Sequence, residues 1–213
     1  MSVPQLAAGR GTPGGKAEAI LAAAERAFLA SGFGAVTMDA IAREAGVSKA
    51  TVYAHFTGKE ALFGAIVARL SERRFGGFSV DALDPVDIET SLTAIASRFL
   101  DLVLSPEAIA LNRIIIGEIT RFPVLGQVFW EAGPERTRAQ IETFLSRAAE
   151  AGSLAFSDTR LAAEQFVALA RGEIHLRSLL RLEDPGDAAA FAAAAANAVA
   201  TFLRAFRATG GDL

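Results

Sequence analysis

The sequence predicts an all-α protein built in two helical parts, and three observations carry that prediction. Apolar residues recur at three- and four-residue steps in segment after segment, the spacing that lines one face of a helix. No run rich in Val, Ile or Thr alternates with polar residues as a half-buried strand would. Glycine and proline, 19 and 7 among 213 residues, mostly stand between the periodic segments, where turns need them. That length holds one large or two small domains. We expect a disordered arm over residues 1–15, an N-terminal three-helix domain over 16–58 and a C-terminal helical domain over 59–213.

Each element has its own local reason. The arm carries four glycines and two prolines, and its GTPGGK fails as a phosphate loop. Arg10 stands where that loop needs its first glycine, and Ala17 follows Lys16 where Ser or Thr is required. A first helix is predicted from Lys16 to Ser31, with Ile20, Leu21, Ala24, Ala27 and Phe28 inward; Gly32 ends it and Phe33 folds back on the core. The stretch from Thr37 to Phe56, TMDAIAREAGVSKATVYAHF, reads as two short helices about a glycine turn. Thr37 caps the first, whose Met38, Ile41, Ala42 and Ala45 share one face. Gly46 supplies the left-handed stop, and Ser48 caps the second helix. Val52 and Phe56 turn inward there and leave Lys49, Ala50, Thr51, Tyr53, Ala54 and His55 on the surface. This is the layout of a helix-turn-helix whose second helix enters the DNA major groove.

A fourth helix, Lys59 to Arg74, has a continuous apolar face of Leu62, Phe63, Ile66, Val67 and Leu70. Gly76, Gly77 and SVDALDP mark a loop before a helix predicted from near Pro85 to Leu104. Ser105-Pro106-Glu107 opens the next, which stops at Pro123 and contains Gly117. A short helical turn holds Phe129 and Trp130, and Gly133-Pro134 starts a helix to about Ala151. Two further helices follow, Asp158 to Arg181 and Asp184 to Ala208; the last repeats Phe191, Ala195, Val199, Phe202 and Phe206 amid alanines that allow close helix approach.

The single tyrosine is Tyr53, and all three lysines, Lys16, Lys49 and Lys59, lie in the first sixty residues. A phenol and ammonium groups gathered there suit phosphate. The segment GVSKATVYAHFTGKEALF, Gly46 to Phe63, resembles the DNA-binding signature of the TetR family of bacterial transcriptional regulators. Arg113 to Gly172, including FPVLGQVFWEAGPERT, more loosely resembles the ligand-binding domains of a subgroup of that family.

The resemblance implies a C-terminal ligand-binding and dimerisation domain, with the last two helices pairing with their copies in a four-helix interface. It also implies a DNA-facing set of Thr37, Met38, Lys49, Ala50, Thr51, Tyr53, Ala54, His55 and Lys59. Thr37, Tyr53, His55 and Lys59 suit phosphate; Lys49 and Thr51 suit base edges, lysine toward guanine O6 or N7 and threonine through a hydrogen bond or a contact with a thymine methyl. Arg10 and Lys16 of the arm are further candidates for the DNA backbone or minor groove. Asp39 would repel phosphate and is expected to cap or pair with a neighbour instead.

Composition sets limits on function. Cysteine is absent, which removes disulfides, thiolate nucleophiles and thiolate metal sites, and the two histidines lie far apart, so no metal site and no cofactor is expected. No nucleophile elbow or metal motif supports an enzyme. The N-terminus lacks the apolar stretch of a signal peptide. The longest weakly hydrophobic run, Ala188 to Leu203, is mostly alanine and contains Asn197, so we expect no membrane span and a cytoplasmic protein. The net charge is −3, yet residues 1–60 balance at +1 and the rest at −4. DNA affinity must then come from where the cations sit.

The expected partners are a double-stranded DNA operator, a second copy of the chain and a small-molecule effector. The candidate effector pocket comprises Phe99, Val103, Asn112, Ile116, Ile119, Phe122, Trp130, Phe144, Phe166 and His175, with Arg113 as a further polar group. Such a lining favours a hydrophobic or aromatic molecule. The alternative is a DNA-bound regulator that answers to a protein partner.

Overall fold

The computed structural model describes residues 13–76, 80–182 and 188–208. Residues 1–12 of the expected arm, Arg10 among them, lie outside that range, as do Gly77 of the expected loop and the Asp184 start of the last helix. Among the described residues ten α-helices follow in order: α1 (Pro13–Ala35), α2 (Met38–Glu44), α3 (Lys49–His55), α4 (Lys59–Ser71), α5 (Ile88–Val103), α6 (Pro106–Glu118), α7 (Val124–Ala132), α8 (Pro134–Glu150), α9 (Thr159–Leu179) and α10 (Ala188–Phe206). Among the described residues the extended pairing is confined to one bridge, Leu154 to Arg207. The chain divides into two compact units, Met1–Ile66 and Val67–Leu213, so the division falls inside α4 and not before it.

In the first unit, α1 buries Ile20, Ala23, Ala24 and Phe28. Its regular geometry breaks at Gly32, where φ 77 and ψ 169 suit only glycine. The break turns Phe33 back onto the core, its ring 5.3 Å from Phe28 and 5.9 Å from Phe63. The Thr37 hydroxyl accepts from the Ala40 N–H at 3.1 Å and caps α2, which buries Met38, Ile41 and Ala42. Gly46, at φ 66, then reverses the chain while the Val47 N–H returns to the Ala42 carbonyl at 3.0 Å. The Ser48 hydroxyl accepts from the Thr51 N–H at 3.1 Å and starts α3, whose inward anchor is the fully buried Val52. Phe56 is half-buried and closes the helix through its N–H to the Val52 carbonyl at 2.9 Å.

In the second unit, α5 packs on α9 and α10, and α8 packs on α9. The core between them joins Leu92, Ile95 and Leu100 to Ile141, Phe144, Leu145, Phe166 and Phe202, all fully buried. Phe166 meets the Phe202 ring edge-on at 5.1 Å, and Phe202 lies 4.8 Å from Phe206. Arginines tie distant segments through backbone carbonyls or carboxylates. Arg113 donates to Ser178 and Leu179 O at 2.7 and 3.0 Å, satisfying carbonyls at the end of α9. Arg147 holds the Val80 and Leu83 carbonyls, and Arg74 pairs with Glu107 at 2.9 Å.

Several boundaries differ from expectation. Helix α5 starts at Ile88 and not near Pro85, because Asp84 folds the preceding residues into a turn: its carboxylate accepts from the Val86 N–H and its carbonyl from the Ser91 hydroxyl, each at 2.8 Å. Helix α6 ends at Glu118, short of Pro123. Helix α9 is broken at Gly172 (φ 49, ψ −157), a break that its apolar periodicity does not announce. By length and composition α10 does qualify as a span, with mean hydropathy 1.4 over Ala189–Phe206, contrary to the expectation from its alanines. Its Ala195, Ala198, Val199, Phe202 and Leu203 are nonetheless buried in a helix that packs on α5 and α9, which makes it a core helix with an open alanine face.

Candidate nucleic-acid interface and ligand cavity

At roughly 100° per residue, the exposed arc of α3 centres on Ala50 and Ala54, with Lys49 and Tyr53 on one flank and Thr51 and His55 on the other. Lys49, Ala50, Ala54 and His55 are exposed, and Tyr53 is 48% exposed although it is a large aromatic. The two alanines leave the middle of this face flat, so a groove floor can approach the backbone closely.

Four of the expected DNA-facing residues carry other duties. Met38 is buried to 8%, so its side chain belongs to the core. The Thr37 hydroxyl caps α2, and the Thr51 hydroxyl shares a 2.8 Å hydrogen bond with Ser48. Lys59 departs furthest from a phosphate contact. Its ammonium donates to the Phe33 carbonyl at 2.9 Å and lies 4.6 Å from the centre of the Phe33 ring, pinning the start of α4 to the part of α1 after the Gly32 break. Lys49 pairs with Asp39 at 2.8 Å, so of the two expectations for that acid, a cap or a pair, the structure has the pair. The hydrogen bond and the charge of Asp39 raise the lysine above its ordinary pKa.

The second unit contains a cavity of about 430 Å³, walled by the last turns of α4 and by α5 to α9. Phe99, Val103, Asn112 and Trp130 of the expected pocket line it. The other six do not. Phe144 and Phe166 are fully buried in the core beside it, where an apolar stripe at helical spacing looks the same as a cavity wall. Ile116 points outward at 63% exposure. Ile119 reaches across to Gly126 of α7, and Phe122 packs under the Arg121 guanidinium. His175 lies beyond the Gly172 break, half-buried, where burial and the nearby Arg171 charge push its pKa down to about 4. Arg113 is occupied at the end of α9.

The cavity's charged lining was absent from the sequence-derived set: Arg138, Glu164 and Arg171. Arg138 is 6% exposed and is neutralised by Glu135 and Glu142 on its own helix, one at i−3 and one at i+4. The hydrogen bond to Glu135 does most to raise its pKa, and the same bond lowers that of Glu135. Glu164 is exposed and bonds Arg160 at 3.2 Å. Arg171 has no such partner among the described residues, and its buried Nε makes no hydrogen bond there. Burial holds its pKa below the ordinary value. The spacing of Glu164 and Arg171, two helical turns on one face, was the signal available in the sequence.

A capped reader helix in a small helical unit, followed by a larger helical unit with an apolar cavity, defines a helix-turn-helix DNA-binding regulator. Residues 20–66 match the family described as bacterial regulatory proteins, tetR family, and residues 90–208 match the AefR-like transcriptional repressor, C-terminal domain. The HTH-type transcriptional regulator SrpR of Pseudomonas putida is 36% identical over 97 residues, 46% of this chain and less than half of that protein, 44% of its length. Among solved structures, the Flavonoid-responsive Regulator FrrA is 37% identical, covering 91% of this chain and 98% of its own, with a TM-score of 0.75. A TetR-family transcriptional regulator from Mesorhizobium loti MAFF303099 is 27% identical, covering 93% and 100%, with a TM-score of 0.78. The chain belongs to the TetR family of bacterial transcriptional regulators, and it is a DNA-binding regulator, not an enzyme.

Proposed function

We propose that the protein is a homodimeric, cytoplasmic repressor that leaves a near-palindromic operator when a hydrophobic small molecule fills the cavity. The observation that carries this reading is α4. One continuous helix begins at Lys59, fastened to Phe33 in the first unit, and ends in Val67, Leu70 and Ser71, which line the cavity in the second. A ligand that favours one setting of α4 shifts the population of settings available to the reader helix.

The proposed DNA contacts are Lys49, Ala50, Tyr53, Ala54 and His55, with Thr37 and Met38 through their backbone and Thr51 through its methyl group. The surface of α9 and α10 supports the second copy. Leu161 and Leu169 before the Gly172 break, and Leu176 and Leu180 after it, are 38–60% exposed, and only 28% of Ala189–Phe206 in α10 is buried. The open cavity favours a small molecule over a protein partner. The flavonoid response of FrrA, at 37% identity, favours an aromatic one.

Selection of bound sequences from random DNA tests the reading. The expected product is a pair of inverted half-sites about one helical turn apart, with affinity falling by about three decades from 50 to 200 mM salt if six phosphates are contacted. Enrichment of an unrepeated site, or salt-insensitive binding, would overturn it. Repeating the selection with aromatic compounds identifies the ligand by loss of the enriched product.

A further inference from the structure

We propose that the ligand of this cavity carries one anionic oxygen group, a carboxylate or an ionised phenol, on an apolar body, and that Arg171 is its counter-ion. The inference rests on reading the cavity as the effector site. The three charged residues in its wall are not equivalent. Arg138 already faces two carboxylates, Glu135 and Glu142, and offers a ligand no uncompensated charge. Glu164 is bonded to Arg160 at the exposed start of α9. Arg171 alone among them has no hydrogen-bond or ion-pair partner among the described residues, although its Nε is buried.

A guanidinium taken from water without a partner is costly, and an incoming anion would offset that cost. Glu164 and Arg171, seven residues apart on one face, stand roughly 10 Å apart along the helix. With Glu164 paired to Arg160, the uncompensated charge of the wall is basic and lies toward Gly172. An amphipathic acid has one favourable orientation in it, head at Arg171 and ring or chain against Phe99, Val103 and Trp130. His175, one turn beyond Arg171, is neutral above its pKa of about 4, so near neutral pH it does not compete as a second cation.

Trp130 lines the cavity and is the only tryptophan, so its fluorescence reports occupancy. The probes are biphenyl-4-carboxylate and biphenyl-4-carboxamide, equal in shape and different in charge, titrated into the full-length protein. The acid is expected to bind at least about tenfold more tightly than the amide, the worth of a charged hydrogen-bonded pair. R171M should remove that preference while leaving amide binding in place, and R171K should restore part of it. Equal binding of acid and amide, or an unchanged preference in R171M, overturns the counter-ion role while the cavity stands as a ligand site. Failure of both probes to perturb Trp130 overturns the cavity reading together with the inference.

Discussion

The ammonium of Lys49 lies 2.8 Å from the carboxylate of Asp39, joining the first turn of α3 to the first turn of α2 across the helix-turn-helix. Both side chains are more than half exposed, so the pair adds little to folding. On the proposed interface its weight falls on DNA, because the acid shares the face proposed to meet phosphate and restrains the cation proposed to read a base. D39N should bind all duplexes more tightly, gain most on random sequence, and steepen the salt dependence by about one unit in the log–log slope. Fluorescence anisotropy on operator and random duplexes at 50 and 200 mM salt gives both quantities. An unchanged ratio between operator and random binding would remove Asp39 from specificity.

Lys59 makes the opposite kind of contact. Because its ammonium bonds the Phe33 carbonyl and covers the Phe33 ring, K59M should cost about 1–2 kcal/mol of stability. Urea denaturation measures the loss. The salt slope of operator binding should stay as in the wild type, whereas a phosphate-binding lysine would lower it by about one unit.

Two glycines separate backbone strain from helix propensity. No atom lies within 4 Å of a Cβ built at either Gly172 or Gly117, so neither substitution by alanine causes a clash. Gly172 sits at φ 49 and ψ −157, and G172A should destabilise by about 1–3 kcal/mol. Gly117 lies within regular α6, and G117A should stabilise by about 0.5–1 kcal/mol. Thermal denaturation of the two variants should move the midpoint in opposite directions.

His175 predicts a pH dependence. Its pKa falls from 6.5 unfolded to about 4 folded, so below pH 6.5 the unfolded chain takes up a proton that the folded chain refuses. Stability should drop as the pH falls from 6.5 toward 4 and stop falling on this account below that. In H175Q the drop across this window should be smaller, as denaturant midpoints at pH 7, 5.5 and 4.5 would show.

What the sequence made legible was local. The Thr37 and Ser48 caps, the Gly46 reversal and the inward Val52 each depend on residues within four positions, and all four stand where the pattern puts them. The pairing of Asp39 was legible only in part: an acid on a face expected to meet phosphate called for a cap or a partner, and the sequence did not choose between them. The Lys59 contact with Phe33 spans 26 residues and the Arg113 contacts with α9 span 65 and 66, distances that no periodicity encodes. The cavity was half legible. Phe99 and Trp130 line it while Phe144 and Phe166 do not, because apolar spacing reports that a side chain is covered and not what covers it. Arg171 escaped for the converse reason, since a single cation on an apolar helix gives no sign in sequence of lacking a partner.

The grip of Arg113 on the end of α9 gives the Gly172 break a mechanical meaning. Beyond the break, Glu173 to Leu179 is a short helical rod whose far end is held by Arg113 of α6. Arg113 adjoins Asn112, whose side chain faces the cavity. A displacement of α6 by a few tenths of an ångström at Asn112 would therefore tilt the rod that carries the exposed Leu176, so the contents of the cavity could be felt at the surface proposed for the second copy without passing through α4.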